Sequence, residues 1–394
     1  MPSSNDFPSA NGPRPSTPTF FNNSFLNLEP GNPTMYESYW KKMGDKCTVV
    51  IKGSELLSYM TDENNVCWFM LPELNDAIER LHRLVGNAVT DGKHVVVGTG
   101  STQLFQAALF ALSSSDDSPQ PLNVVAAAPY YSEYREEVEF LQSKLYKWAG
   151  DAHVYDKDEP CIEVVTSPNN PDGTLREPVV KKAKQGKLIH DLAYYWPHYT
   201  PITHMADHDI MLFTFSKCTG HAGSRIGWAI VKDKEVARKM TRFIQMSSIG
   251  VSRESQRRAA KLMEVVCESY ENVKHIKSEN FFHHSKDMLT EKWVKLREVV
   301  EQSVVFSLQK YPEGYCHFTG EISEPRPAFA WLKCNNGIDD CESYLRGLSI
   351  IARGGKRFGA DPKYCRVSMV GKEDQFNELL RRLSNVTGNS KNEH

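Results

Sequence analysis

The chain is expected to be an α/β protein: a large domain on a mostly parallel sheet flanked by helices, followed by a smaller α+β domain. Three observations lead there. Between about residue 56 and residue 275, short β-branched apolar runs alternate with helical stretches in the manner of βαβ units. Several of those runs end in polar or glycine-rich turns, as strands do along the edge where α/β sheets bind ligands. Beyond about residue 280 the order changes to a long helix and then shorter strands, which marks a second unit.

Taken in order, residues 1–24 are rich in Pro, Ser and Asn and lack an apolar stretch, so a disordered tail is expected. Arg14 is their only Arg or Lys, which is little for a transit peptide. Residues 25–56 are expected to join the small domain. The large domain spans 57–280, with strands at 94–97, 123–128, 161–166, 187–190, 210–215 and 226–231. Its helices are expected at 72–87, 101–113, 132–142 and 234–247, where the apolar residues recur at helical rather than alternating spacing. A polar helical region containing Asn280 and Phe281 leads into the small domain, 281–394. There a helix at 285–302 precedes strands at 303–309, 314–318, 328–333 and 364–369 and helices at 339–348 and 373–384. The run Lys181-Lys182-Ala183-Lys184 reads as a solvated loop, and no internal repeat is present.

The chemistry starts at Lys217. It lies in Ser216-Lys217-Cys218-Thr219-Gly220, directly after the apolar run Ile210–Phe215, with Arg225 eight residues on. A lysine delivered by a strand end can condense with an aldehyde, while nearby hydroxyls and a guanidinium neutralise a phosphate dianion. Pyridoxal phosphate needs that combination. By itself Ser-Lys-x-x-Gly also describes an ordinary surface loop, so the companions matter. Gly98-Thr99-Gly100-Ser101-Thr102 breaks a β-branched run and opens a helical segment, with Ser101 and Thr102 where free backbone amides cradle a phosphate. Gln103 stands where a dinucleotide fingerprint requires its third glycine, which disfavours that alternative. Asp191 ends the run Lys187-Leu188-Ile189-His190 and can pair with a pyridinium nitrogen; Asn170 and Tyr194 can hydrogen-bond a ring hydroxylate. Each of these residues separately has a plain reading as a cap or turn former.

The series Gly98–Thr102, Ala128-Pro129-Tyr130-Tyr131, Ser167-Pro168-Asn169-Asn170-Pro171-Asp172-Gly173, His190–Tyr194, Ser216-Lys217 and Arg225 resembles the fold type I PLP-dependent aminotransferases. The stretches Tyr194–Ile202 and Phe213–Trp228 are more closely similar to the plant alliinase and tryptophan aminotransferase group. The similarity runs from about Asn27 to about Leu383. It implies that Lys217 carries the cofactor and then shuttles a proton. It implies that Arg225 holds the phosphate, helped by Ser101, Thr102, Thr214 and Ser216. Tyr131, rather than Tyr130, matches the aromatic that stacks on the ring, and Tyr59 matches a tyrosine that reaches the phosphate of the neighbouring subunit in a homodimer with shared active sites. The carboxylate-binding arginine of the family corresponds to Arg366, in the strand-like run Tyr364–Met369; a planar fork suits a carboxylate better than an ammonium does. Arg353 is a second candidate cation.

The implied activity is transfer of the amino group of L-tryptophan to pyruvate, giving indole-3-pyruvate for auxin synthesis. A C–S lyase of alliinase type and a weakly active regulatory PLP-binding paralogue share the same cofactor residues. The expected partners are small amino acids and 2-oxo acids. A formal net charge of −2 offers no electrostatic case for nucleic acid, and no apolar run approaches a membrane span. Nine scattered cysteines without a Cys-x-x-Cys pair suit a reducing cytoplasm and indicate neither a disulfide framework nor a metal site. Secreted alliinases carry a signal segment and a Cys-rich N-terminal module, features not seen here, which tilts the expectation away from the lyase.

Overall fold

Seven strands form the principal sheet of the computed structural model, which describes residues 24–113, 120–181, 186–271 and 280–389. The chain opens with β1 (Leu26–Asn27), α1 (Glu37–Met43) and α2 (Pro72–Val85). There follow β2 (His94–Gly98), α3 (Ser101–Ser113), β3 (Leu122–Ala126), α4 (Glu133–Phe140), β4 (Tyr146–Asp151), β5 (Cys161–Thr166) and β6 (Lys187–Asp191). β7 (Ile210–Thr214) passes into the one-turn helix α5 (Phe215–Cys218), then β8 (Gly227–Val231), α6 (Lys234–Ser248), α7 (Arg253–Glu271) and α8 (Phe281–Glu301). The last part contains β9 (Phe306–Leu308), β10 (Gly314–Cys316), β11 (Glu321–Ser323), β12 (Phe329–Cys334) and α9 (Cys341–Gly347). It ends with β13 (Ile350–Ile351), β14 (Arg353–Gly354), β15 (Tyr364–Ser368) and α10 (Glu373–Asn389).

The principal sheet has the order β2-β8-β7-β6-β5-β3-β4. All its pairings are parallel except those of β8, which runs antiparallel to β2 and β7. The mostly parallel sheet is thus present. β3, β5, β7 and β8 are buried throughout, the reason they read as continuous apolar runs rather than alternating ones. β2 and β6 are buried in part, and β4, at the edge, is the most exposed, its residues after Tyr146 all reaching solvent; its polar composition hid it from the sequence pattern. Helices α3 and α6 pack together beside β2, and α2 packs on α7. Pro72 at the first turn of α2 and Gly86 in the left-handed conformation after it bound that helix.

A second, four-stranded antiparallel sheet has the order β14-β15-β12-β9. Sequence reading expected its longer strands, but not β13 and β14, which are two residues each, nor β11 in the β10–β11 hairpin. The N-terminal segment runs along these elements first. β1 pairs in parallel with β13, Ser368 N–H donates to the Leu28 carbonyl, and Met35 N–H donates to that of Val370. It then crosses to the principal-sheet side, where Trp40 Nε1 donates to the Thr219 carbonyl at 2.9 Å and the Tyr36 hydroxyl donates to that of Tyr199 at 3.1 Å. The expected tail and most of the Lys181–Lys184 run lie outside the described residues. Among the described residues no helix is long and apolar enough to cross a membrane.

Candidate active site

Parallel pairing in register sets Thr166 beside Asp191 and Asp191 beside Leu212, so the C-terminal ends of β5, β6 and β7 finish at one edge. A cavity of about 460 Å³ opens there, within the size range of small-molecule sites. Lys217 stands on its wall because β7 converts directly into α5. The Thr214 side chain accepts from the Ser216 N–H at 3.3 Å and caps that single turn. The Lys217 Nζ donates to the Gly31 carbonyl at 2.5 Å and lies 5.7 Å above the Tyr194 ring. Burial, aided by the positive charges of Arg366 and Arg225, lowers its pKa to about 7, so a neutral nucleophilic amine is available near neutrality.

The turn after β2 supplies the second wall. Gly100 has φ +94°, and a Cβ there would sit 2.6 Å from Arg225 Nη2, so only glycine lets the guanidinium lie against the turn. Arg225 donates to the Thr99 carbonyl at 3.2 Å, and is itself held at φ +52°. Gln103 is part of this construction: its Oε1 accepts from the Thr99 N–H at 2.9 Å and fixes the turn that opens α3. Ser101 and Thr102 line the cavity at the first turn of α3.

Asp191 lies across from them. Its Oδ2 accepts from the Tyr134 hydroxyl at 2.7 Å and its Oδ1 from the Ala193 N–H at 3.1 Å. Burial raises its pKa, while these two donors oppose the rise. The Tyr134 hydroxyl also bonds that of Thr166 at 2.7 Å, which ties α4 to two strand ends.

Arg366 enters from β15 in the other sheet and is almost fully buried. Nη1 donates to Asn170 Oδ1 at 2.9 Å, Nη2 donates to the Glu29 carbonyl at 2.8 Å, and Nε has no partner. Its Cζ lies 4.0 Å from the centroid of the Phe329 ring. Burial pulls its pKa down to about 10. Among the described residues no carboxylate pairs with it, an expensive arrangement for a buried charge unless a ligand anion completes it.

Of the residues expected from sequence, Ser101, Thr102, Tyr131, Asn170, Asp191, Tyr194, Thr214, Lys217, Arg353 and Arg366 line this cavity. Tyr130 does not; its N–H donates to the Phe358 carbonyl, and its ring packs against Trp148. Ser216 and Arg225 are not among the lining residues: Ser216 is buried, and Arg225 is exposed and lies against the Gly100 turn. Tyr59 is exposed on an irregular segment away from the cavity lining. Arg353 lines the site but is already engaged: Nε donates to Glu29 at 2.9 Å, and Nη1 donates to Ser132 at 2.6 Å and also to Glu133. Two carboxylates thus engage the Nε and Nη1 of Arg353, the second candidate cation. Sequence reading missed Glu29, Gly31, Glu133, Tyr134 and Glu137. Three of them could have been found, because Glu137 follows Tyr134 by three residues and Glu133 by four on the helix just beyond Tyr131.

A family model described as Allinase matches residues 26–387. The chain belongs to this family, whose members depend on pyridoxal phosphate. Tryptophan aminotransferase-related protein 2 of Arabidopsis thaliana is 53% identical over 91% of this chain and 81% of its own length. An alliin lyase of Allium cepa var. aggregatum is 38% identical over 90% of this chain and 79% of its own. Among solved structures, the YbdL protein of Escherichia coli, described as having a methionine aminotransferase function, superposes with a TM-score of 0.64 at 15% identity. It covers 96% of this chain, and the match spans 99% of that one. An aspartate aminotransferase mutant of Thermus thermophilus gives 0.62 at 18% identity, covering 92% of both chains. The architecture is therefore that of fold type I.

The cavity fits the cofactor of this family. Its chemistry calls for a lysine of lowered pKa, an acid for the ring nitrogen, and a phosphate cradle at a helix N-terminus. Lys217, Asp191 and the Gly100–Thr102 turn stand on three walls of one cavity, and the unpartnered Nε of Arg366 leaves room for a further anion.

Proposed function

We propose that the protein is a pyridoxal phosphate-dependent aminotransferase that converts L-tryptophan and pyruvate into indole-3-pyruvate and L-alanine. The observation that carries this reading is Arg366, a buried guanidinium without a carboxylate among the described residues, in the same cavity as a lysine whose pKa burial lowers to about 7. Both substrates of an aminotransferase bring an α-carboxylate, and one fork serves either in turn. The choice of tryptophan leans on the 53% identity to the tryptophan aminotransferase-related protein, against 38% for the alliin lyase.

In this reading Ser101, Thr102, Thr214, Ser216 and Arg225 hold the phosphate. Tyr131 covers the ring, and Asn170 and Tyr194 address its hydroxyl group. When bound, the cofactor supplies an electron-withdrawing ring that stabilises negative charge on the substrate α-carbon. Asp191 keeps a negative charge at the ring nitrogen, and Tyr134 and the Ala193 N–H fix its orientation. The Nζ of Lys217 takes the proton from the α-carbon and returns it one position further on; the Gly31 carbonyl holds that amine in place between transfers. Arg366, oriented by Asn170, grips the substrate carboxylate, so the α-proton faces Lys217.

Purified protein supplied with cofactor is offered tryptophan plus pyruvate and, separately, an S-alkylcysteine sulfoxide. Indole-3-pyruvate with matching alanine is the expected product. Pyruvate released from the sulfoxide, without transamination of tryptophan, would make the chain a lyase.

A further inference from the structure

Two guanidinium groups reach the cavity side by side. Arg353 of β14 and Arg366 of β15 stand directly opposite each other in the antiparallel pairing, which sets both side chains on one face of the sheet, and both line the cavity. Two free forks so placed would suit a ligand with two carboxylates, one for each arginine. They are not equally free. Arg366 has an unpartnered Nε, and its other nitrogens meet neutral acceptors, the Asn170 side-chain oxygen and the Glu29 carbonyl. Arg353 is gripped by carboxylates: Nε donates to Glu29 Oε1 at 2.9 Å, while Nη1 donates to Glu133 and, at 2.6 Å, to Ser132 Oγ.

The grip is built from separate parts of the chain. Glu29 belongs to the N-terminal segment and accepts from Arg357 as well, at 3.1 Å. Ser132 and Glu133 stand at the start of α4, where the Ser132 hydroxyl donates to Glu133 Oε1 at 3.2 Å. The side chains of Arg353, Glu29 and Glu133 are 17%, 25% and 31% exposed, so solvent screens these pairs only in part. Glu133 itself lines the cavity. A second ligand carboxylate would have to displace it from Arg353 and would then face it as a like charge, whereas a single carboxylate goes to Arg366 without a competitor. We propose that Glu29 and Glu133 mask Arg353 and thereby act as specificity-determining residues, restricting the site to amino acids and 2-oxo acids with one carboxylate and excluding those with two. This deepens the aminotransferase reading and rests on its assignment of Arg366 to the substrate carboxylate.

The test reads binding rather than turnover. Protein supplied with pyridoxal phosphate is titrated near neutral pH, by calorimetry, with propionate, succinate and glutarate, unreactive acids that carry one or two carboxylates. Wild type is expected to bind neither dicarboxylate more tightly than propionate. Glu133→Gln, which releases Arg353 Nη1 from its carboxylate, is expected to gain about tenfold for the better-fitting dicarboxylate relative to propionate, roughly the worth of one charge-assisted hydrogen bond. Adding Arg353→Gln should abolish that gain. Should Glu133→Gln not fold, Glu29→Gln releases Nε instead and is expected to move the ratio the same way. A wild type that already prefers a dicarboxylate overturns the proposal, as does a gain that survives Arg353→Gln. Variants that melt earlier with the ratio unmoved would show a merely structural clamp and overturn it too. Propionate binding that Arg366→Lys leaves intact would instead strike the assignment of Arg366, and the masking of Arg353 would fall with it.

Discussion

Two residues of the site invite direct measurement. If Arg366 grips the substrate carboxylate as a fork, Arg366→Lys should lose about 2–5 kcal/mol in kcat/KM for both tryptophan and pyruvate, because a point charge replaces a bidentate contact in a desolvated site. A loss of only a few-fold would mean that the carboxylate binds elsewhere. Arg353 would not be the natural substitute while Glu29 and Glu133 hold it. Lys217 makes a prediction in pH. Its folded pKa lies near 7 instead of its ordinary 10.5, and only the neutral amine attacks an aldehyde. The rate of pyridoxal phosphate capture by apoprotein should therefore rise with pH through about 7 and level off above it; a rise continuing toward pH 10 would show an unperturbed lysine. Lys217, Asp191 and Arg366 were legible in the sequence because each sits at a strand end or in a strand with a specific chemistry to offer. The partners that tune them were less so. Gly31, whose carbonyl holds Lys217, lies 186 residues away, and Tyr134, which orients Asp191, lies 57 away. Such pairings exist only after the chain has folded.

At the scale of elements, what could be read depended on burial. The doubly buried strands β3, β5, β7 and β8 announced themselves as apolar runs, whereas β4 at the sheet edge did not. The segment Glu29–Gly31 offers no periodicity at all, yet it contributes carbonyls to both Arg366 and Lys217. Its close approach depends on one glycine: a Cβ on Gly31 would come within 2.6 Å of Phe329 Cζ and 3.2 Å of Lys217 Nζ. Gly31→Ala should displace this segment, cost about 1–3 kcal/mol of stability as overpacking does, and depress turnover further by freeing Lys217 from its anchor. Gly53→Ala, with nothing within 4 Å of its Cβ, is the matched control. Thermal melts and kcat measured on both would settle the matter, and indistinguishable behaviour would show that the segment yields without effect.

At the scale of the whole molecule, Tyr59 raises the question of a partner. It was expected at a phosphate, but it stands 71% exposed, with Val50 at 77%, Leu57 at 82% and Met60 at 46% along the same irregular segment. A single exposed apolar side chain needs no explanation; several on one short segment mark a surface that meets another protein. We propose that the partner is a second copy of the chain, since a symmetric dimer would make each surface self-complementary and would let each Tyr59 hydroxyl reach the neighbouring phosphate. On this account the protein should be a dimer by light scattering, and Leu57→Asp should shift it toward monomer with loss of activity on dilution. Tyr59→Phe should leave the dimer intact while cofactor dissociates faster on gel filtration, because only one hydroxyl has been removed. A fully active monomer would refute the interface and the shared site together, whereas a dimer whose Tyr59→Phe variant retains its cofactor would refute the shared site alone.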